Sequence, residues 1–145
     1  MAFSLHKQLA NDTIEVGDLP LCQILLMNDA RFPWLILVPR REQMSEMFDL
    51  SMKDQQLLLQ ETSFVAERLK DLTGADKMNM AALGNQVPQL HVHVIARFKD
   101  DPAWPAPVWG NGKAVAYPEK EKQKAIADLQ DLFAGFLVSG QKVNI

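Results

Sequence analysis

The chain has 145 residues, of which 48% are apolar and 23% charged, and its formal net charge is −3; that is enough for one domain with a real core, and we read 1–145 as a single domain. No apolar run approaches the ~20 residues that span a bilayer, and Met1-Ala2-Phe3-Ser4-Leu5-His6-Lys7 has no apolar export core, so the expectation is a cytoplasmic protein without a membrane partner. The basic residues are scattered, with Arg40-Arg41 and Glu119-Lys120-Glu121-Lys122 the densest charge features, which excludes the basic stripe of a nucleic-acid-polymer binder but not a small anionic ligand in a locally positive pocket.

Residues 21–27, Leu-Cys-Gln-Ile-Leu-Leu-Met, read as a largely buried strand, and the single cysteine, Cys22, reads there as a buried structural thiol. With one cysteine, an internal disulfide and a Cys-based zinc cluster are both excluded. Residues 28–33 supply turn chemistry, and 34–38, Trp-Leu-Ile-Leu-Val, form a second strand stopped by Pro39. So short a connection predicts an antiparallel hairpin.

Ser51 with Asp54 three residues on resembles a capping box and opens a helix. Leu58, Val65, Leu69 and Leu72 recur at helical spacing, and Gly74 is a natural stop. Residues 77–83 are a third strand, 84–88 a tight polar loop, and 89–98 the strongest strand in the chain. From 100 to 117 the chain reads as a long loop broken by three prolines and two glycines and carrying Trp104 and Trp109. Loops of this length inside a domain are often functional or partner-facing, although two such tryptophans serve packing or subunit contact more often than base stacking. Pro118 starts a last helix with Ile126, Leu129, Leu132, Phe133 and Phe136 as its stripe and Gly140 as its end. The order strand-strand-helix-strand-strand-helix gives an α+β class: an antiparallel sheet with two main helices.

The chemistry concentrates in Gln89-Leu90-His91-Val92-His93-Val94-Ile95. Alternation on a strand puts Gln89, His91 and His93 on one face and Leu90, Val92 and Val94 on the other. The apolar face belongs against the core, so the polar face looks into solvent or a cleft. A metal site is not expected, because zinc takes at least three protein ligands and the only other histidine, His6, is far off in sequence. The preceding Gly84-Asn85-Gln86 offers amide donors to anionic oxygens and close backbone approach, and neutral imidazole is a competent nucleophile at physiological pH.

Gln89-x-His91-x-His93-Val94-Ile95 resembles the histidine triad motif, with glutamine where the first histidine stands. The resemblance extends over the early hairpin, the central helix and the run from Asn79 to Gly84. It implies a HIT-like fold, a purine nucleotide substrate, no cofactor and a homodimer. By that resemblance His91 attacks the α-phosphorus of a dinucleoside polyphosphate or adenosine phosphoramidate, and His93 helps hold the phosphates. Gln89 can donate a hydrogen bond but not a proton, Asn28 occupies the ribose-binding position, Asn79 with Gly84, Asn85 and Gln86 forms the phosphate side, and Arg97 is a basic residue beyond the motif. The alternative is a nucleotide-binding or sensing module that has lost efficient chemistry through Gln89.

Overall fold

The computed structural model describes residues 2–138. Its centre is the expected hairpin: β2 (Cys22–Met27) and β3 (Trp34–Pro39) run antiparallel, with Cys22 opposite Pro39 and Leu26 opposite Leu35. Three strands complete the sheet, one on one side, without an expected counterpart, and two on the other, with shorter bounds than expected. β1 (Thr13–Asp18) pairs with β2 through a bulge between Glu15 and Gly17, following a short helix α1 (Lys7–Asp12). Neither element carries a pattern long enough to register: α1 is six residues, and the bulge breaks the period-2 alternation of β1. On the other side β5 (Val92–Arg97) pairs with β3, and β4 (Lys77–Ala81) lies outermost, giving the antiparallel order β1-β2-β3-β5-β4.

The central strands β2, β3 and β5 are buried on both faces, and strand alternation divides the sheet into two cores. Cys22, Ile24 and Leu26, Leu35 and Leu37, and Val92, Val94 and Ala96 point one way. They meet Leu58, Val65 and Leu69 of α2 (Met52–Thr73) and Leu129 and Phe133 of α3 (Glu119–Phe133). Leu25, Trp34, Ile36, Val38 and Ile95 point the other way. Among the described residues, no long helix packs there. That face is covered by Leu9 of α1 and by Ala103 and Val108 of the long loop, with Phe3 and Leu5 packed beside them. The proline-broken segment is therefore a second covering layer, which accounts for its composition: it must lie flat on a twisted sheet rather than coil.

Local signals hold where they are strongest. Ser51 caps α2, its side chain accepting from Asp54 N, and Gly74 ends it at φ 72°, a left-handed conformation that glycine adopts without steric cost. Pro118 proves to be the N-cap of α3 rather than its first residue. The helix ends at Phe133; Gly140, its expected stop, lies outside the described residues, and Phe136, past the helix, stacks on Phe64 with ring centroids 4.7 Å apart. Leu72, assigned to the apolar stripe of α2, is half exposed.

Candidate active site

β5 begins only at Val92, so Gln89, Leu90 and His91 lead into the strand rather than forming part of it. The alternation nonetheless persists: Leu90, Val92 and Val94 enter the core under α2, and His91 and His93 face the opposite side. They do not face open solvent, with only 6% and 5% of their surfaces exposed. Both line a cleft of about 500 Å³ whose walls come from α1, β2–β3, the 84–87 turn and the 108–114 loop.

Each imidazole is held in one tautomer by a partner of fixed polarity. His91 Nδ1 lies 2.7 Å from the carbonyl oxygen of Gln89. A carbonyl only accepts, so Nδ1 carries the proton and the Nε2 lone pair is left free. At His93 the polarity is reversed. The Trp34 indole N–H donates to His93 Nδ1 at 3.0 Å; an indole only donates, so the His93 proton sits on Nε2. Burial, and then the neighbouring His91, push the His93 pKa down to about 4, which keeps it neutral at physiological pH. The two rings stand 5.0 Å apart at 67°. In the neutral form of His91 its Nε2 lone pair thus stands beside the Nε2–H donor of His93.

Of the residues selected from sequence, the structure brings His91, His93, Gly84, Asn85 and Gln86 to one cleft. Gly84 has φ 82°, the left-handed backbone that lets the turn fold toward the histidines. Asn28, Asn79 and Arg97 do not line this cleft, and Gln89 lines a smaller neighbouring pocket that shares Gly84 and His91. Asn28 uses its side-chain oxygen to accept from Tyr117 N. Asn79 accepts from Arg97 Nη1, and Arg97, 2% exposed, is spent on Asp101, Asn79 and the Ala106 carbonyl. These residues fasten the long loop to the sheet.

Gln89 is the most instructive case. Its Oε1 accepts from His6 N at 2.8 Å and its Nε2 donates to the Ser4 carbonyl at 2.9 Å. Both ends of the amide are committed to the segment leading into α1, and α1 supplies Gln8, Leu9 and Asp12 to the cleft wall. We expect Gln89→Ala to release this segment. Hydrogen exchange at residues 4–9 should rise at least ~10-fold, since two hydrogen bonds of roughly 1 kcal/mol each are lost; unchanged protection there would refute the strap.

The cleft also contains charged residues that no local motif marks: Asp12, Asp29 and Arg31. Asp29, 1% exposed, grips Arg31 through contacts of 3.0 and 2.8 Å. Burial opposes ionisation of Asp29, but the Arg31 guanidinium and the backbone N–H groups of Arg31 and Val115 prevail and hold its carboxyl below the usual range. With Asp12 also on the wall, two carboxylates accompany one guanidinium, so the cleft is not the positive pocket expected for an anion. The Gly84-Asn85-Gln86 amides and the His93 Nε2–H are the neutral donors that share this wall. The spacing of Asp29 and Arg31 in a turn gave no sign of this; only the loop carrying Asn111, whose carbonyl accepts from Arg31, closes them into the wall. Among the described residues, no three His, Cys, Asp or Glu side chains gather as a metal site, and no helix is long and apolar enough to cross a membrane.

A family model, the HIT domain, matches residues 8–100. The chain belongs to the HIT domain family. Solved structures of this family superpose closely on it. A histidine triad protein from Marinobacter aquaeolei VT8 is 48% identical with a TM-score of 0.91, covering 94% of this chain and 99% of its own. One from Bradyrhizobium japonicum is 50% identical at 0.88, covering 90% and 98%, and one from Sinorhizobium meliloti 1021 is 53% identical at 0.87, covering 89% and 96%. No curated protein matched. Membership in the HIT domain family establishes the α+β fold and points to nucleotide-related hydrolase or transferase chemistry. The matched span stops at residue 100, and the long loop that carries Trp109 onto the cleft follows it.

Proposed function

We propose that this HIT-domain protein is a nucleotide hydrolase or nucleotidyl transferase in which His91 is the nucleophile. The observation that carries the reading is the Nδ1 contact of His91 with the Gln89 carbonyl, which makes Nε2 the lone-pair nitrogen of the neutral ring, in the same cleft as the amide-rich Gly84-Asn85-Gln86 turn. In the reaction, the Nε2 lone pair forms a bond to the α-phosphorus of a purine nucleotide. The bond from phosphorus to the leaving oxygen or nitrogen breaks with its electron pair, and the leaving group takes a proton from water. A second water then attacks phosphorus, its proton passing to solvent, and the nucleoside monophosphate leaves with His91 restored. Dinucleoside polyphosphates and adenosine phosphoramidates are the substrate classes. A panel of both, with mass detection of a nucleotidyl adduct on His91, tests the reading; intact folded protein that forms neither adduct nor product from any of them would refute it.

One feature favours a second reading, a nucleotide-binding module without turnover: the amide of Gln89 has no proton to give a leaving group and is already occupied by Ser4 and His6. Tight binding of the panel with no burst of product would select it.

We also propose a homodimer. The outermost strand β4 leaves its free edge unpaired among the described strands, with Met80 46% exposed, and an apolar unpaired edge invites a second chain. Sedimentation equilibrium should give twice the mass of 16.3 kDa, and Met80→Lys should shift the population toward monomer. A monomer at all concentrations tested would remove this assignment.

A further inference from the structure

Trp34 lies on β3 and His93 on β5. In the register of these strands Trp34 stands opposite Ile95 and Ile36 opposite His93, so Trp34 and His93 are diagonal neighbours on one face, a separation that long aromatic side chains bridge. The indole does so through its N–H, at 3.0 Å from His93 Nδ1. Both side chains are 5% exposed. The Trp34 ring is itself wedged edge-on between Phe32, at 6.3 Å and 71°, and Trp109, at 6.2 Å and 88°. Trp109 stands at 5.2 Å from the His93 ring as well, but its own indole N–H is buried without a partner among the described residues. Two indoles thus flank His93, and only that of Trp34 bonds to it.

We propose that Trp34 is a positioning residue of the cleft: by donating to His93 Nδ1 it locks His93 as the neutral Nε2–H tautomer, and so gives the bound phosphate one fixed donor. His93 then serves as a permanent hydrogen-bond donor and does not carry protons during turnover. The inference extends the function proposed above, because it names what His93 does for the ligand. It also answers the charge problem of the cleft, where carboxylates outnumber the guanidinium and a neutral donor must hold the anion.

The first test needs no nucleotide and no variant. Long-range proton–nitrogen correlation spectra of the ligand-free wild-type protein at neutral pH should show His93 Nδ1 as a pyridine-type and Nε2 as a pyrrole-type nitrogen. An Nδ1-protonated ring or an imidazolium overturns the proposal whatever the enzyme's activity. In Trp34→Phe, which keeps a ring between Phe32 and Trp109 but removes the donor, a second His93 tautomer should appear. Affinity for adenosine monophosphate should then fall about tenfold, the scale of one hydrogen bond to a charged group, while the His91 adduct still forms. A Trp34→Phe protein with the wild-type tautomer and affinity would overturn the proposal. Absence of any adduct in the wild type, with the Nε2–H tautomer present, would instead count against the hydrolase reading and leave the role of Trp34 standing.

Discussion

His91→Ala is expected to lower turnover of any dinucleoside polyphosphate or phosphoramidate substrate by ~10⁴-fold or more, the scale on which enzymes lose a covalent nucleophile, and to abolish the nucleotidyl adduct. The effect should fall on kcat with little change in KM, because the bond His91 makes to phosphorus is formed in the reaction and not in the ground-state complex. Nucleotide affinity should survive, since the Nε2–H of His93 and the amides of the 84–86 turn remain. The side chain is 6% exposed, stands against His93 and lines the cleft, so the melting temperature should move by only a few degrees. Turnover within tenfold of wild type in folded His91→Ala would sink the nucleophile assignment. Loss of binding together with turnover would instead make His91 a ligand-holding residue.

The second large effect is on stability. Asp101→Ala should cost about 3–5 kcal/mol, because it strands a fully buried guanidinium. Arg97 meets Asp101 at 2.8 Å with side-chain exposures of 2% and 4%, and its cation lies over the rings of Phe32 and Trp104. The same carboxylate accepts from the backbone N–H groups of Phe98, Ala103 and Trp104, so it ties together the first turn of the covering loop. In a chain of this size that cost corresponds to a fall in melting temperature of roughly 10–15 °C. The control is Arg97→Met with Asp101→Leu, which removes both charges and should be less damaging than Asp101→Ala alone. If the double variant is the worse of the two, lost packing rather than an unpaired charge is the cause.

The pH dependence of stability carries the same logic with its sign fixed. Burial would push the Asp101 carboxyl up, but Arg97 and the three backbone N–H groups hold it well below the carboxylate range. A carboxyl lowered by folding stabilises fully above its unfolded pKa of about 3.9, and that contribution is lost as pH falls through the folded value. His93 acts at higher pH. Its folded pKa of about 4 lies below the unfolded value near 6.5, so the native state resists protonation, and stability falls as pH drops from about 6.5 to 4. Thermal unfolding should therefore weaken in two stages on acidification, first through His93 and then, below pH ~4, through Asp101. A melting temperature that stays level between pH 7 and 4 would contradict the buried neutral state of His93.

The sequence by itself determined a good deal of this molecule. The β2–β3 hairpin, the α2 helix between Ser51 and Gly74, and the final helix are carried by local signals (apolar runs, a cap, a left-handed glycine) whose cause and effect lie within a few residues of each other. The motif was legible for the same reason: a period of two in Leu90-His91-Val92-His93-Val94 places the histidines together whatever surrounds them. What only the tertiary structure decided is what those histidines touch. Asn28, Asn79 and Arg97 are polar residues near the right places in the chain, yet each turns to a partner more than ten residues away: Tyr117, Arg97 and, for Arg97, Asn79. Trp34 reaches His93 across 59 positions, and Gln89 reaches Ser4 and His6 across 85 and 83. Such pairings depend on strand register and on how the loop beyond residue 98 folds back over the sheet, and local propensity contains neither. From sequence, the glutamine of the motif is a residue that can donate a hydrogen bond but not a proton; the fold adds that its amide bonds to Ser4 and His6, just ahead of the α1 wall of the cleft.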